Sequence, residues 1–206
     1  MNILIILAHP DEKSFNAAIA DTVFETLKQN NHWVMYHDLY REKFDPLITE
    51  SEIEKGAILT QEVEKHCQEL SQVDGIIIVH PNWWGQPPAI LKGWIDRVIR
   101  PGVAYAFIGE DQGEGVPVGL LKAGTAIVFN TSNTNASREE KVFGDPLEAI
   151  WRHCIFGLCG IPKFFRKTFR VMVTSTLEER QGWLDEVSEI INYYFPKEGT
   201  PNDSSM

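Results

Sequence analysis

The chain has 206 residues, of which 43% are hydrophobic and 23% are charged, and it carries a formal net charge of −10. An acidic chain of this kind lacks the basic surface that binding to nucleic acids or to anionic lipids requires. No apolar run reaches the length of a membrane-spanning helix, and the N-terminal segment "MNILIILAHP" lacks the basic region of a signal peptide. We therefore expect a globular protein with no nucleic-acid partner and no membrane insertion.

In chain order, the predicted elements alternate between β-strands and α-helices. The first segment, "NILIILAH", is a continuous run of mostly branched aliphatic residues, which is typical of a strand buried on both faces of a parallel sheet. The predicted elements are a strand at 2–9, a helix at 14–31, a strand at 32–40, a helix at 61–71, a strand at 74–81, a helix at 88–99, a strand at 124–132, a helix at 145–160, a strand at 164–174 and a helix at 176–195. This order predicts an α/β fold with a doubly wound, five-stranded parallel sheet flanked by helices.

The same pattern predicts a single domain, because no linker or internal repeat interrupts it. We assign residues 1–195 to this domain and residues 196–206 to a polar tail that we expect to be disordered. The three cysteines, Cys67, Cys154 and Cys159, have neither a CxxC motif nor zinc-type spacing. We interpret them as free thiols of a protein in the reducing environment of the cytoplasm.

In a doubly wound sheet, ligands bind beyond the carboxyl ends of the strands, so the loops after the strands are the candidate site. The first loop, "HPDEKSFN", contains neither GxGxxG nor GxxxxGK[ST]. It leads directly into a helix whose free N–H groups favour a phosphate, with the hydroxyl of Ser14 as a further donor. The alternative is that Ser14 only caps the helix, and this stretch favours neither interpretation.

The second loop, "PNWWGQPP", places two adjacent tryptophans at the end of a strand. Aromatic planes stack against planar ring systems, so Trp83 and Trp84 predict one wall of a binding site. The alternative is that they belong to the core, but adjacent residues point in different directions, which disfavours burial of both. The third loop, "NTSNTNAS", is polar and can present N–H groups and amide side chains to the edge of a heterocycle.

The helix that follows the tryptophans has apolar residues on more than one face. A helix packed only on its own sheet needs a single apolar stripe. We therefore expect part of this helix to be exposed on one chain and to form an interface between two copies. The apolar residues concerned are Ala89, Ile90, Trp94, Ile95, Val98 and Ile99.

Taken together, the three loops resemble the flavodoxin-like NAD(P)H:quinone oxidoreductase family, which includes DT-diaphorase and its bacterial relatives. The segment "PNWWGQPPAILKGWIDRV" carries most of the resemblance, "SFN" in the first loop adds a second match, and the similarity extends to about Trp183. The resemblance implies a flavin cofactor, FAD or alternatively FMN, with NAD(P)H as co-substrate. It also implies ping-pong, two-electron hydride transfer to a quinone or similar flat acceptor, in a homodimer with its flavin sites at the interface.

The resemblance further assigns roles to individual residues. Those expected to hold the pyrophosphate and ribityl chain are His9, Ser14, Phe15 and Asn16. Those expected beside the flavin ring are Pro81, Asn82, Trp83 and Trp84, and those expected at its pyrimidine edge are Asn130, Thr131, Ser132 and Asn133. Asp96 is expected to approach the flavin of the other subunit, and Arg180 is expected at the adenosine end of FAD. The substrate pocket is expected to contain Trp84, Tyr105 and Phe107.

One departure from the family concerns the charge on the reduced flavin. Members such as DT-diaphorase carry a Tyr and a His after the fourth strand, and the matching positions here are Ser137 and Phe143. Neither can donate as the family pair does. The resemblance therefore assigns no catalytic residue, and it leaves Arg138 and the amides of the third loop, including Asn133, as candidates.

Two alternatives come from other functional classes. The first loop, "AHPDEKSF", also looks like the AHPDDE loop of zinc-dependent amide deacetylases, but the chain contains no H-x-x-H pair to complete that metal site. The second alternative is a flavoprotein regulatory subunit of a potassium-efflux system. That role would retain the flavin site and add binding to a membrane partner. The sequence does not distinguish it from the enzymatic role.

Overall fold

A five-stranded parallel sheet forms the centre of the computed structural model, which describes residues 1–54, 56–108 and 115–197. Its strands are β1 (Asn2–Leu7), β2 (Trp33–Asp38), β3 (Gly75–Pro81), β6 (Thr125–Ser132) and β7 (Lys163–Arg170), in the spatial order β2-β1-β3-β6-β7. The predicted doubly wound parallel sheet is confirmed. The chain moves outward from β1 to β2 and then returns to pair β3 with the other side of β1, so the topological switch point lies between β1 and β3.

Two layers of helices cover the sheet. On one face lie α1 (Phe15–Gln29) and α7 (Leu177–Tyr194), packed on alternate residues of the central strands such as Ile5 and Ile77. On the other face lie α3 (Gln61–Gln72) and α4 (Ala89–Val98), packed on the intervening residues such as Ile6 and Ile78. The continuous aliphatic strands therefore bury both faces.

The remaining elements are short. They are α2 (Glu50–Ile53), β4 (Tyr105–Ile108), β5 (Val116–Gly119), α5 (Ala136–Arg138), a π-helical segment (Glu139–Phe143), α6 (Pro146–Ala149), a second π-helical segment (Ile150–Gly157) and a 3₁₀ turn (Met172–Thr174). The helix predicted at 145–160 is thus α6 continued by a π-helical segment, and the strand predicted to reach 174 ends at Arg170. The antiparallel pair β4–β5 was not predicted. Its Gly119 lies so close to the backbone of Cys159 that an added Cβ would stand 2.2 Å away, a long-range contact that local patterns do not encode.

Helix α4 buries much of its apolar surface against the rest of the chain. Trp94 and Val98 are fully buried, and Ile95 is nearly so. Gly93 packs against Pro46, where an added Cβ would stand 2.3 Å from the proline backbone. Of the other apolar residues of this helix, Ala89 is exposed and Ile90 and Ile99 are half-buried, so some apolar surface stays open on one chain, and the interface between two copies stays a prediction.

Candidate functional site

A cavity of about 320 Å³ opens at the carboxyl ends of β1, β3 and β6, at the switch point of the sheet. Its volume lies at the lower end of the range for small-molecule sites, about 300–1,000 Å³. The lining residues are His9, Lys13, Ser14, Phe15, Asn16, Pro81, Asn82, Trp83, Thr131, Ser132, Asn133, Met172 and Arg180. The structure therefore brings together most of the residues assigned from the sequence, and it adds Lys13 and Met172.

The first loop ends in the N-terminus of α1, which faces this cavity. The Oγ of Ser14 accepts a hydrogen bond from the N–H of Ala17 at 3.2 Å, so Ser14 is the N-cap of the helix. The cap and the cavity are compatible roles, because the first N–H groups of a helix have no intrahelical partner and the serine hydroxyl can still donate. The helix dipole adds a preference for negative charge at this end.

Asn16 is buried at the bottom of the same loop, with 3% of its surface exposed. Its Nδ2 donates to Oγ1 of Thr131 at 2.9 Å and so links the first loop to β6. Its Oδ1 is buried and has no hydrogen-bond partner among the residues that the structure describes. Since a buried acceptor without a partner is costly, this atom calls for a donor from whatever occupies the cavity.

Arg180 of α7 and Lys13 of the first loop make the cavity electropositive. The guanidinium of Arg180 is oriented by two bonds, from Nε to Oγ of Ser175 at 2.8 Å and from Nη2 to the carbonyl of Met172 at 3.0 Å. A guanidinium held in this way presents its remaining N–H groups to an anion with little further loss of entropy. Lys13 was not predicted from the sequence, which assigned only its neighbour Ser14 to the site.

Of the two tryptophans, Trp83 forms the exposed aromatic rim of the cavity. It is 41% exposed and lies 6.2 Å from the ring of His9 between centroids. Trp84, the next residue, is 100% exposed and lies outside the cavity lining. The alternative in which both tryptophans belong to the core is therefore excluded.

Asn130 lies beneath the cavity and does not line it, unlike its neighbours Thr131 and Ser132. Successive residues of a strand point to opposite faces, and Asn130 shares the face of Val128, which packs toward α4. Its Nδ2 lies 2.9 Å from Nε2 of His80, and its Oδ1 accepts from Arg166 at 3.2 Å. Its side chain therefore belongs to a buried polar network and not to the cavity wall.

His80 is the centre of that network. Its Nε2 accepts from the indole N–H of Trp151 at 3.0 Å, so the ring proton is on Nδ1, which donates to the carbonyl of Pro81 at 2.8 Å. Complete burial lowers the pKa of His80 to about 4, so the ring stays neutral at physiological pH. The network fixes the backbone of Pro81, which lines the cavity.

Of the two catalytic candidates, Asn133 lies in the cavity and Arg138 does not. The Oδ1 of Asn133 accepts from the backbone N–H of Val173 at 3.0 Å, which leaves its Nδ2 to donate toward a ligand. The guanidinium of Arg138 instead lies over the ring of Phe143, 5.6 Å from its centroid. Phe143 is 48% exposed, and Ser137 is also exposed.

Three further residues assigned from the sequence lie outside the cavity lining. Tyr105 and Phe107 stand on the β4–β5 hairpin, with their rings 5.6 Å apart in an edge-to-face contact. Asp96 projects from α4 and accepts from Nζ of Lys92 at 2.6 Å. On a single chain, none of the three contacts the walls described above.

A histidine–carboxylate cluster elsewhere was not anticipated from the sequence. The two ring nitrogens of His37 meet Glu42 at 2.8 Å and Glu69 at 2.5 Å, and His66 lies beside it. Burial alone would lower the pKa of His37, but the bonds to both carboxylates and their charges raise it overall. Trp94 donates to Nδ1 of His66, so His66 keeps its proton on Nε2 and has no lone pair there for a metal.

Similarity to known proteins covers nearly the whole chain. A family model described as "Flavodoxin-like fold" matches residues 1–194. The chain is 36% identical over 168 residues to an uncharacterized NAD(P)H oxidoreductase of Haemophilus influenzae, covering 78% of this chain and 79% of that protein. It is 32% identical over 225 residues to NAD(P)H dehydrogenase (quinone) 1 of Rattus norvegicus, covering 93% of this chain and 79% of that protein.

Among solved structures, the fold is similar to that of an FMN-dependent NADH-azoreductase from Bacillus anthracis in complex with FMN. The TM-score is 0.76 at 21% identity, and the match covers 94% of this chain and 99% of the other. Among the described residues, none of the helices is both long and apolar enough to cross a membrane.

Proposed function

We infer the reaction from one premise, that the chain belongs to the flavodoxin-like fold family and, within it, to the NAD(P)H:quinone oxidoreductases. The protein is a flavin-dependent oxidoreductase that transfers electrons from NAD(P)H to a quinone. We propose that residues 1–195 form one flavin-binding domain and that the cavity at the switch point is its flavin site. The observation that carries this proposal is the cavity itself, which combines helix N-terminal donors, two cations and an aromatic rim at one place.

The residues of the cavity fit a flavin. The unpartnered Oδ1 of Asn16 would accept from a hydroxyl of the ribityl chain. The start of α1, with His9, Ser14 and Phe15, would hold the phosphate. Pro81, Asn82 and Trp83 would flank the ring, and Thr131, Ser132 and Asn133 would meet its polar edge.

When bound, the flavin supplies the redox chemistry, taking hydride from NAD(P)H and delivering it to the acceptor. The chain supplies position and electrostatics. Trp83 and Trp84 provide planes against which flat reactants stack, which fixes them in contact geometry. Nδ2 of Asn133 is aimed by its bond to Val173, so it can donate to a reduced, anionic ring without reorganising. For this reason we favour Asn133 over Arg138 as the group that replaces the family's Tyr and His.

We propose FAD as the cofactor, with FMN as the alternative. A cavity of about 320 Å³ on a single chain holds only part of so large a molecule. Arg180, which the family resemblance places at the adenosine end of FAD, lines the cavity together with Lys13. The acceptor pocket is proposed to be completed by Trp84, Tyr105 and Phe107.

We further propose that the protein is a homodimer with its flavin sites at the interface. The support is the exposed apolar surface that remains on the described chain, including Trp84 at 100%, Phe107 at 47% and Phe143 at 48%. Asp96 is exposed on the helix after the tryptophans and is available to a partner. Sedimentation at low micromolar concentration is expected to give a dimer. A monomer with full quinone reductase activity would contradict this proposal.

The function is tested by the absorption spectrum of the purified protein. We expect a yellow protein whose visible absorbance is bleached by NAD(P)H in the absence of oxygen and restored by a quinone. A colourless protein that gains no activity from added FAD or FMN would contradict the proposal.

Trp84→Ala should weaken reactant binding by about 0.5–1.5 kcal/mol, the value of a stacked aromatic pair beyond its buried area. Trp33→Ala is the matched control, because Trp33 is also exposed, at 71%, but lies on β2 outside the cavity.

A further inference from the structure

The tryptophans are presented by a tight turn, Trp83–Gln86, which we call the tryptophan turn. Its ends are closed by two backbone bonds, from N–H of Trp83 to the carbonyl of Gln86 at 3.1 Å and back at 3.0 Å. The two central residues, Trp84 and Gly85, have φ of +59° and +71°. Two positive φ angles in a two-residue hairpin define a type I′ turn, whose first central position normally holds Asn, Asp or Gly.

Trp84 therefore occupies a conformation that is costly for a bulky side chain. Its indole is fully exposed, so burial of the side chain does not offset the cost. Gly85 packs against Pro146 so closely that an added Cβ would stand 2.6 Å from the proline ring, which holds one side of the turn. The other side must be held from within the loop.

A second set of contacts connects the tryptophan turn through Asn82 to a buried carboxylate. Oδ1 of Asn82 accepts from the N–H of Gly85 at 2.9 Å, and Nδ2 of Asn82 donates to Oε1 of Glu139 at 3.1 Å. Glu139 is 1% exposed and begins the π-helical segment, an arrangement common at functional sites. A carboxylate can only accept, so it forces the amide nitrogen of Asn82 toward itself and the amide oxygen toward Gly85.

We propose that Glu139 is the positioning residue of this site, acting through Asn82 to lock the tryptophan turn and so to fix the aromatic wall against which the reactants stack. Glu139 does not itself line the cavity, and it acts through the lining residue Asn82, whose amide it orients. The consequence for catalysis rests on the proposed function. The effect on the turn itself does not, because both bonds are made between residues of the chain.

The test measures the turn and the reaction separately. Hydrogen exchange by NMR on the flavin-free protein reports the protection of the Gly85 amide. Glu139→Ala is expected to lower that protection by about tenfold, the cost of one lost acceptor at a buried donor. Glu139→Gln keeps an acceptor oxygen and should retain protection within about threefold. Glu140→Ala, which alters the exposed neighbour, should leave it unchanged.

In the flavin-loaded enzyme, Glu139→Ala should raise KM for NAD(P)H more than it lowers kcat, and Glu139→Gln should restore most of the loss. Unchanged Gly85 protection in Glu139→Ala, or equal loss in the Ala and Gln variants, would overturn the proposal. If Glu139→Ala does not fold, Glu139→Met replaces it, because it keeps most of the side-chain volume but offers no carboxylate acceptor. The same tenfold loss is expected, and unchanged protection of the Gly85 amide in that variant would overturn the proposal. A wild-type protein without NAD(P)H activity would instead refute the proposed function and leave the exchange result standing.

Discussion

Glu52→Ala is expected to lower the free energy of unfolding by about 3–5 kcal/mol, the cost of removing one partner of a buried ion pair. The side chains of Glu52 and Arg97 are each 2% exposed, and they form two hydrogen bonds, at 2.6 and 3.1 Å. The variant leaves the buried guanidinium with the carbonyl of Asp45 at 2.6 Å and the carboxylate of the same, exposed residue at 3.9 Å. Because this pair ties residues 44–53 to α4, the loss should expose the buried face of that helix. The midpoint and slope of urea unfolding measure the change.

Two variants separate the ion pair from a general effect of charge. Glu50→Ala removes an exposed carboxylate from the same helix, α2, and should cost less than about 1 kcal/mol. Glu52→Leu combined with Arg97→Met removes both charges and should recover most of the stability, since an apolar pair can replace a buried ion pair. A loss in Glu52→Ala no larger than that in Glu50→Ala would contradict the assignment.

The same pair predicts how stability depends on pH. The hydrogen bond from Arg97 holds the pKa of Glu52 below its usual value of 4.5, despite the opposing effect of burial. A carboxyl with a lowered pKa in the folded state contributes stability that is fully present above its unfolded pKa. That contribution is lost as the pH falls below about 4.5 and through the folded pKa. The acid limb of the stability curve should therefore flatten in the Glu52→Leu, Arg97→Met variant.

Arg180→Ala is expected to weaken FAD binding by about 1.5–3 kcal/mol, or roughly 10- to 150-fold, the range for hydrogen bonds to charged groups. Arg180 lines the cavity, and its orientation is fixed by Ser175 and Met172. If it serves the adenosine end of FAD, its loss should leave FMN affinity within about threefold, because FMN lacks that part of the molecule. Titration of the flavin-free protein with each flavin gives both affinities.

Lys65→Ala is the control for Arg180→Ala, since it removes one positive charge from α3 outside the cavity. It should leave both affinities unchanged apart from a small effect of net charge that salt suppresses. Equal loss of FAD and FMN affinity in Arg180→Ala would place the guanidinium on the phosphate that the two cofactors share. That result would favour FMN.

Most of the residues expected at the site do line the cavity, because of how the sheet is connected. In a doubly wound sheet the residues just after the strands must meet at one edge, so the loops at His9, Pro81 and Thr131 converge in any chain that forms this sheet. Which side chains then line the cavity depends also on contacts between distant parts of the chain. Thr131 and Ser132, the last residues of β6, line it, whereas Asn130 is held in the buried network of His80 and Arg166.

The sequence by itself determined the parallel sheet, the alternation of helices and the location of the site. These features depend on local patterns: continuous aliphatic strands, a serine cap at the start of α1, and prolines that open α4. The family resemblance added the flavin and the nicotinamide co-substrate. Their adjacency in a loop also indicated that the two tryptophans are not both buried, and the structure exposes both.

The tertiary structure alone decided the features that join distant parts of the chain. Glu52 and Arg97 are 45 residues apart, and their buried ion pair ties residues 44–53 to α4. Glu139 and Asn82 are 57 residues apart, and their bond sets the amide that holds the tryptophan turn. The local sequence around a buried carboxylate does not differ from that around an exposed one, because burial depends on which distant segment packs over the residue. Local periodicity carries no information about that packing, so only the folded chain reveals which charges are structural.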